Sequence, residues 1–261
     1  MMDTEWMHAL ESYRAARAVP DNFSEYWHER KDLAQKTTVL REEVLPFRNP
    51  MARYSVIRFT GTDGTILEAR CLCPRTAKPV PTVLLFHDIG RDVRGWHHML
   101  RFSALGYAVF ALKNRSGWED GADLYRQDIA LLYCDALCAS YAALSLDSTD
   151  PSNLMAFGEG FGGGLAIVSA AMMGRPVRCA ALNPMPADVP EPFCSMDLVH
   201  FAPLLTGSFL LGTGLLDTVA APEGQYAILH SAVCPSEHHV YVRHEHERNN
   251  FFEDELLRFF R

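Results

Sequence analysis

Apolar residues in this chain gather in short unbroken runs, and longer stretches with helical spacing separate them. Val83-Leu-Leu-Phe-His87, residues 107–112, 154–157 and 177–182, and Ser208-Phe-Leu-Leu-Gly212 are too short for helices and read as buried strands. Residues 96–105, 123–144, 162–173 and 225–230 carry a helical period between them, and residues 250–260 close the chain as a helix. Residues 240–242 read as extended. Upstream, two strand-like runs, 54–60 and 65–73, flank Thr62-Asp63-Gly64, the signature of a β-hairpin. Residues 1–50 read as a helical extension rich in charge and aromatics, ended by Pro46 and Pro50. The alternation of strand and helix predicts an α/β fold, a mainly parallel sheet with helices on both faces. No linker, repeat or low-complexity tract interrupts it, so residues 1–261 are expected to form a single domain with a short N-terminal helical arm.

Composition narrows the function classes. Apolar residues make up 48% of the chain, enough for a buried core. The 24 basic and 32 acidic residues give a net charge of −8. No basic run exists to displace phosphate counterions, which argues against nucleic acid and anionic membranes as partners. The first residues carry Asp3 and Glu5 in place of an apolar signal core, and the longest apolar run, 165–173, is short of a membrane span. A cytoplasmic location is expected. The seven cysteines, Cys71, Cys73, Cys134, Cys138, Cys179, Cys194 and Cys234, form no CxxC pair and read as reduced, mostly buried thiols. None sits at a glycine turn, which argues against a cysteine nucleophile.

Candidate chemistry clusters where predicted strands end, the edge at which open α/β sheets hold ligands. The first place is Gly158-Glu159-Gly160-Phe161-Gly162, a sharp turn between strand and helix. It has the frame of a nucleophile elbow, Gly-x-Ser-x-Gly, with Gly160 at the serine position. A plain turn and a dinucleotide-type glycine loop are the competing readings. The latter lacks an acidic residue after the next strand, which leads to Asn183. The second is Asp217, placed either to orient a histidine or to serve as a loop carboxylate or helix cap. The third is the segment holding His238, His239, His244 and His246. Its spacing lacks a recognisable zinc pattern, so a surface histidine cluster competes with a catalytic one, and no metal or cofactor is expected. The order of Gly160, Asp217 and His246 matches the chain order of elbow, acid and histidine in α/β-hydrolases.

At these residues the chain resembles the acetyl xylan esterase / cephalosporin C deacetylase family of α/β-hydrolases, from about Phe23 onward. Leu84-Leu-Phe-His87-Asp88-Ile89, with Gly95-Trp96 after it, resembles the family's strand ending in His-Gly-Tyr with a following Gly-x-Trp. Gly158-Glu-Gly-Phe-Gly-Gly-Gly164 resembles its elbow, Gly-Gly-Ser-Gln-Gly-Gly-Gly. Gly214-Leu-Leu-Asp217-Thr-Val and Glu245-His246-Glu247 resemble its acid and histidine motifs. The resemblance implies an α/β-hydrolase fold, a carboxylic ester hydrolase ancestry, small acyl-ester or carbohydrate-like ligands, and assembly into homo-oligomers. It also implies that backbone N–H groups at Ile89 and Phe161 form the oxyanion hole, with Asp217 and His246 as the acid–base pair.

The departures fall on the chemistry. Gly160 replaces the serine, Phe161 the neighbouring glutamine, and Ile89 the tyrosine. A helical insertion that caps the family's site is also missing between Asn183 and Leu205, which implies a more open or reshaped pocket. Three coordinated changes point to natural drift away from esterase chemistry. Three functional readings follow. The first is a degenerate, non-catalytic homologue with a binding or scaffolding role. The second is a weak or altered hydrolase in which Asp217 and His246 activate a water in the space left by the serine. The third is another nucleophile or another chemistry, with Glu159 as the neighbouring candidate.

Overall fold

The computed structural model describes residues 4–115 and 124–261. Asp123, the expected start of a long helix, and residues 1–3 of the arm lie outside the described residues. The helices are α1 (Thr4–Ser12), α2 (Phe23–Ala34), α3 (Trp96–Ala104), α4 (Ile129–Leu144), α5 (Phe161–Met172), α6 (Leu198–Phe201), α7 (Pro222–Ser231) and α8 (Asn250–Phe259). The strands are β1 (Val39–Val44), β2 (Ala52–Thr60), β3 (Ile66–Pro74), β4 (Val80–Phe86), β5 (Ala108–Leu112), β6 (Thr149–Glu159), β7 (Val177–Leu182), β8 (Phe209–Gly214) and β9 (Ser236–Tyr241). They form one sheet in the order β1-β2-β3-β5-β4-β6-β7-β8-β9. The pairs from β5 through β9 are parallel, and β1, β2 and β3 add an antiparallel edge.

The α/β architecture expected from the alternation is present. One segment differs. Val39–Val44 lies inside the expected helical arm but is the edge strand β1. Its mixed, largely exposed pattern suits a strand that pairs on one side only. Strand pairing, which the local pattern does not report, decides its state.

Period-two alternation in the central strands sends side chains to two separate cores. Leu84 and Phe86 of β4, with Phe110 of β5 and Ala156 of β6, face α2, α4 and α5. Val83 and Leu85, with Val109, Met155 and Phe157, face α3 and α8. Burial of each such side chain stabilises the fold by about 1.5–3 kcal/mol. On the first face, Trp27, Tyr133 and Phe201 meet edge to face or tilted, tying α2 to α4 and α6. The Trp27 indole donates to the Ser195 carbonyl at 2.7 Å, so its polar atom is satisfied despite burial. Asp128 caps α4 by accepting from the Leu131 N–H, and Asn249 caps α8 by accepting from Phe251 and Phe252.

The chain leaves β4 towards β5 on one side, and β6 lies on the other. The sheet's order reverses there, so the loops after β4 and β6 diverge and open a crevice at the strands' C-terminal ends. Among the described residues, no helix is long and apolar enough to cross a membrane. All seven cysteines are free and six are buried.

Candidate active site

The turn after β6 is held by backbone geometry. Gly160 has φ +55° and ψ −128°, a conformation that L side chains rarely adopt. Its N–H donates to the Leu182 carbonyl at 2.9 Å, which fixes the turn to β7. Gly158 has no room for a Cβ, because the Gly162 carbonyl of the entering helix packs directly on it. The turn thus passes from strand to helix in one residue and aims the first N–H groups of α5 at the crevice. The Phe161 side chain points away from that opening. It is buried and stacks on Tyr133, ring centroids 5.9 Å apart at 18°.

The loop after β4 supplies the second half. Asn114 pins it by donating to the carbonyls of Asp88 at 3.0 Å and Arg91 at 3.2 Å. This leaves the Ile89 N–H facing the same point as the Phe161 N–H. That point is filled by the chain itself. Asp88 Oδ1 accepts from the Ile89 N–H at 2.9 Å and from the Phe161 N–H at 2.8 Å.

The other carboxylate oxygen completes a line of three side chains. Asp88 Oδ2 lies 2.9 Å from His246 Nε2, and His246 Nδ1 lies 2.7 Å from Asp217 Oδ2. Asp217 is buried, and its Oδ1 accepts from the Val219 and Ala220 N–H groups, both at 2.8 Å. Asp217 is therefore at once a loop carboxylate and the partner of His246. Asn183 holds the histidine loop in place. It donates to the Glu245 carbonyl at 3.1 Å and accepts from the Gly214 N–H at 2.7 Å.

Two carboxylates flank one imidazole. Burial opposes its charge, but hydrogen bonds to Asp217 and Asp88 outweigh it, and the ring is pushed up to about 9. His246 is thus an imidazolium at neutral pH, with both nitrogens donating. His87, one residue before Asp88, goes the other way. Burial, assisted by Arg94, lowers it to about 3 and keeps it neutral.

Gly160, Ile89, Phe161, Asp217 and His246 are all brought to one place. Asp88 was not among the candidates the sequence offered, although its signal was present. His87-Asp88-Ile89 sets an aspartate where the family pattern has glycine. The space expected for an attacking water is occupied by this carboxylate, because a Cβ on Gly160 would run into Asp88. Glu159 lies beside the turn but pairs with Arg94, which also pairs with Glu253 at 3.0 Å. The histidine segment is dispersed. His238 bonds Thr213 at 3.0 Å and His244 faces Glu247 at 3.3 Å, leaving His246 alone at the centre.

The opening above these groups is small. It leaves room for about one water molecule and is lined by Asp88, Arg91, Glu159, Gly160, Asn183 and His246 among others. Between β7 and β8 there are only short 3-10 turns and the four-residue α6.

Comparison with known proteins places this arrangement. The chain aligns with an acetyl xylan esterase from Thermoanaerobacterium sp. JW/SL YS485 at a TM-score of 0.85 and 20% identity, covering 99% of this chain and 98% of that one. It aligns with an acetyl xylan esterase from Paenibacillus sp. R4 at 0.87 and 17%, covering 99% of each. A dienelactone hydrolase-like promiscuous phosphotriesterase from metagenomic libraries gives 0.59 and 18%, with 81% and 84% covered. At these identities the likeness is one of fold, that of α/β-hydrolase esterases. The family model described as acetyl xylan esterase (AXE1) matches residues 2–127 and 187–261. Those stretches hold Asp88, Ile89, Asp217 and His246, and the turn at Gly160 lies in the stretch between them. With fold and sequence in agreement over most of its length, the chain belongs to the acetyl xylan esterase family.

Proposed function

We propose that this family member does not turn over acyl esters, because its own Asp88 carboxylate occupies the place of the reacting acyl group. The carrying observation is Asp88 Oδ1 between the N–H groups of Ile89 and Phe161, at 2.9 and 2.8 Å. In acyl transfer those donors stabilise the oxyanion, and they act only if they are free to receive it.

Three physical arguments support the reading. Gly160 offers no attacking oxygen. His246, held as an imidazolium, takes no proton from water at neutral pH. Attack by Asp88 on an acyl ester gives a mixed anhydride and must expel an alkoxide. The carboxylate is the far better leaving group, so that intermediate reverts.

The test is hydrolysis of 4-methylumbelliferyl acetate together with labelling by a fluorophosphonate. The expected result is turnover at background and no label. The double substitution Asp88→Gly with Gly160→Ser clears the anion socket and restores the hydroxyl, and is expected to gain both. Acetate release by the unaltered protein that disappears in His246→Ala overturns the proposal.

A further inference from the structure

We propose that Arg248, His98 and the N-terminus of α3 form a second site, which binds a phosphate-class oxyanion, either free or as the end group of a phosphomonoester. These groups stand apart from the residues that line the opening above Asp88, and the site does not depend on the silence towards acyl esters.

Three observations carry it. First, positive charge is gathered here in excess. On the α3 and α8 side of the sheet, Arg91, Arg94, Arg101 and Arg248 share two carboxylates, Glu159 and Glu253. Arg94 and Arg91 hold Glu159, and Arg94 and Arg101 hold Glu253. Arg248 is left with a carboxylate oxygen at 4.0 Å. A fifth guanidinium, Arg70, is occupied by the carbonyls of Val93 and Arg94, at 3.3 and 2.8 Å. The other acids nearby are engaged elsewhere. Glu247 faces His244 at 3.3 Å, Asp92 accepts from the Val93 N–H at 2.7 Å, and Asp88 faces His246. In a chain of net charge −8 this concentration of cations is local, and a partly buried cation without a close partner is costly.

Second, the network is short of acceptors. Among the described residues, Arg248 Nε, Arg101 Nε, Asn249 Nδ2 and His87 Nε2 are buried without a hydrogen-bond partner, and each can donate. His87 is 4% exposed and faces Arg94, Arg70, Arg248 and His98. One acceptor, Glu159 Oε1, is also unpaired, on the side of the Asp88 opening. An oxyanion supplies what such a network lacks, lone pairs and negative charge.

Third, the donors converge on the start of a helix. Arg248 Nη1 lies 3.4 Å from His98 Nε2. Burial, with Arg248, His97, Arg94 and Arg101 around it, pushes His98 down to about 4. The neutral ring accepts from Arg248 at Nε2 and so carries its hydrogen on Nδ1. His98 stands in the first turn of α3, where Gly95 is the N-cap and no side chain caps the helix. A Cβ on Gly95 would meet the His97 ring at 2.9 Å, so glycine lets His97 fold over the same end. An uncapped helix N-terminus with a guanidinium beside it has the elements of a phosphate cradle. The Arg248 side chain is 34% exposed and His97 is exposed, so an anion reaches them from solvent without an enclosed cavity. The excess of four guanidiniums over two carboxylates matches a dianion, and a guanidinium fork suits two phosphate oxygens.

The experiment titrates the unaltered protein with inorganic phosphate and, separately, with phenyl phosphate, at neutral pH and constant ionic strength. Histidine ring signals are followed by NMR. The expected result is a saturable shift of the His98 and His97 rings with both probes, while His230 on α7 stays unmoved. Tighter binding of inorganic phosphate supports the free anion as ligand, and tighter binding of phenyl phosphate supports the phosphomonoester. Arg248→Gln is expected to weaken binding about tenfold, the scale of one lost charge-assisted contact. Arg243→Gln, which alters an exposed arginine outside the cluster, is expected to leave it unchanged. Shifts that never saturate, or that chloride reproduces, reflect screening alone and overturn the proposal. So does binding that survives Arg248→Gln undiminished. The titrations of the unaltered protein stand even if a variant fails to fold.

Discussion

Asp88 and Gly160 exclude each other's ordinary partners: the Asp88 carboxylate lies where any side chain at position 160 would begin. Restoring the serine alone therefore does not restore the site. Gly160→Ser places a side chain at φ +55° and drives it into Asp88. The expected cost is about 1–3 kcal/mol from backbone strain, with a further contribution from crowding. Chemical denaturation measures it. The double substitution with Asp88→Gly is expected to recover the crowding part and leave the strain.

Removing the Asp88 charge should release His246. In Asp88→Asn the imidazole is expected to titrate well below its present value of about 9, since only Asp217 still favours the charged form. A proton NMR titration of the ring reads this directly. An unmoved midpoint would show that Asp217 alone sets it.

The same shift governs stability. His246 is raised in the folded state above its unfolded value of about 6.5. Its contribution is then fully present below pH about 6.5 and is lost as pH rises through about 9, and it is on the order of 3 kcal/mol. Denaturation midpoints measured between those pH values are expected to fall with rising pH. The slope is expected to flatten in His246→Gln.

Asp217 performs two tasks that substitution separates. Asp217→Ala orphans the Val219 and Ala220 N–H groups and one side of His246, at a cost of about 2–4 kcal/mol. Asp217→Asn keeps the turn's acceptor but removes the charge. It is expected to destabilise less while lowering the His246 midpoint as strongly, as thermal melts and titration together would report.

Arg94 bridges the buried Glu159 and the half-buried Glu253. Arg94→Met is expected to cost about 3–5 kcal/mol, because it leaves buried Glu159 with only the more distant Arg91, at 4.0 Å. Glu159→Gln is expected to leave the pH profile of any turnover unchanged, since the glutamate serves this network. A profile that moves with Glu159 would instead make it a participant in the chemistry.

The fold was legible in the chain because its signals are local. Runs such as Val83-Leu-Leu-Phe and the glycines around residue 160 dictate buried strands and a tight turn by themselves. The edge strand β1 was not legible, since its state follows from pairing with β2. Asp217 and His246 stood out through order and spacing. Asp88 did not, because a single aspartate after a strand carries no periodicity. Its meaning arises only when the Phe161 N–H, 73 positions away, and His246, 158 positions away, converge on it. Position 160 differs from the family pattern inside a recognisable turn, whereas Asp88 lies in the loop after a different strand.

The two N–H groups of Ile89 and Phe161 do not distinguish an anion brought by a ligand from one carried on the same chain. A tethered carboxylate competes with any free one at a large effective concentration, because its translational freedom is already gone. Acetate and other small carboxylic acids should therefore be unable to dwell at this centre at concentrations found in solution. Any other anion that reaches these two donors must first displace the resident carboxylate.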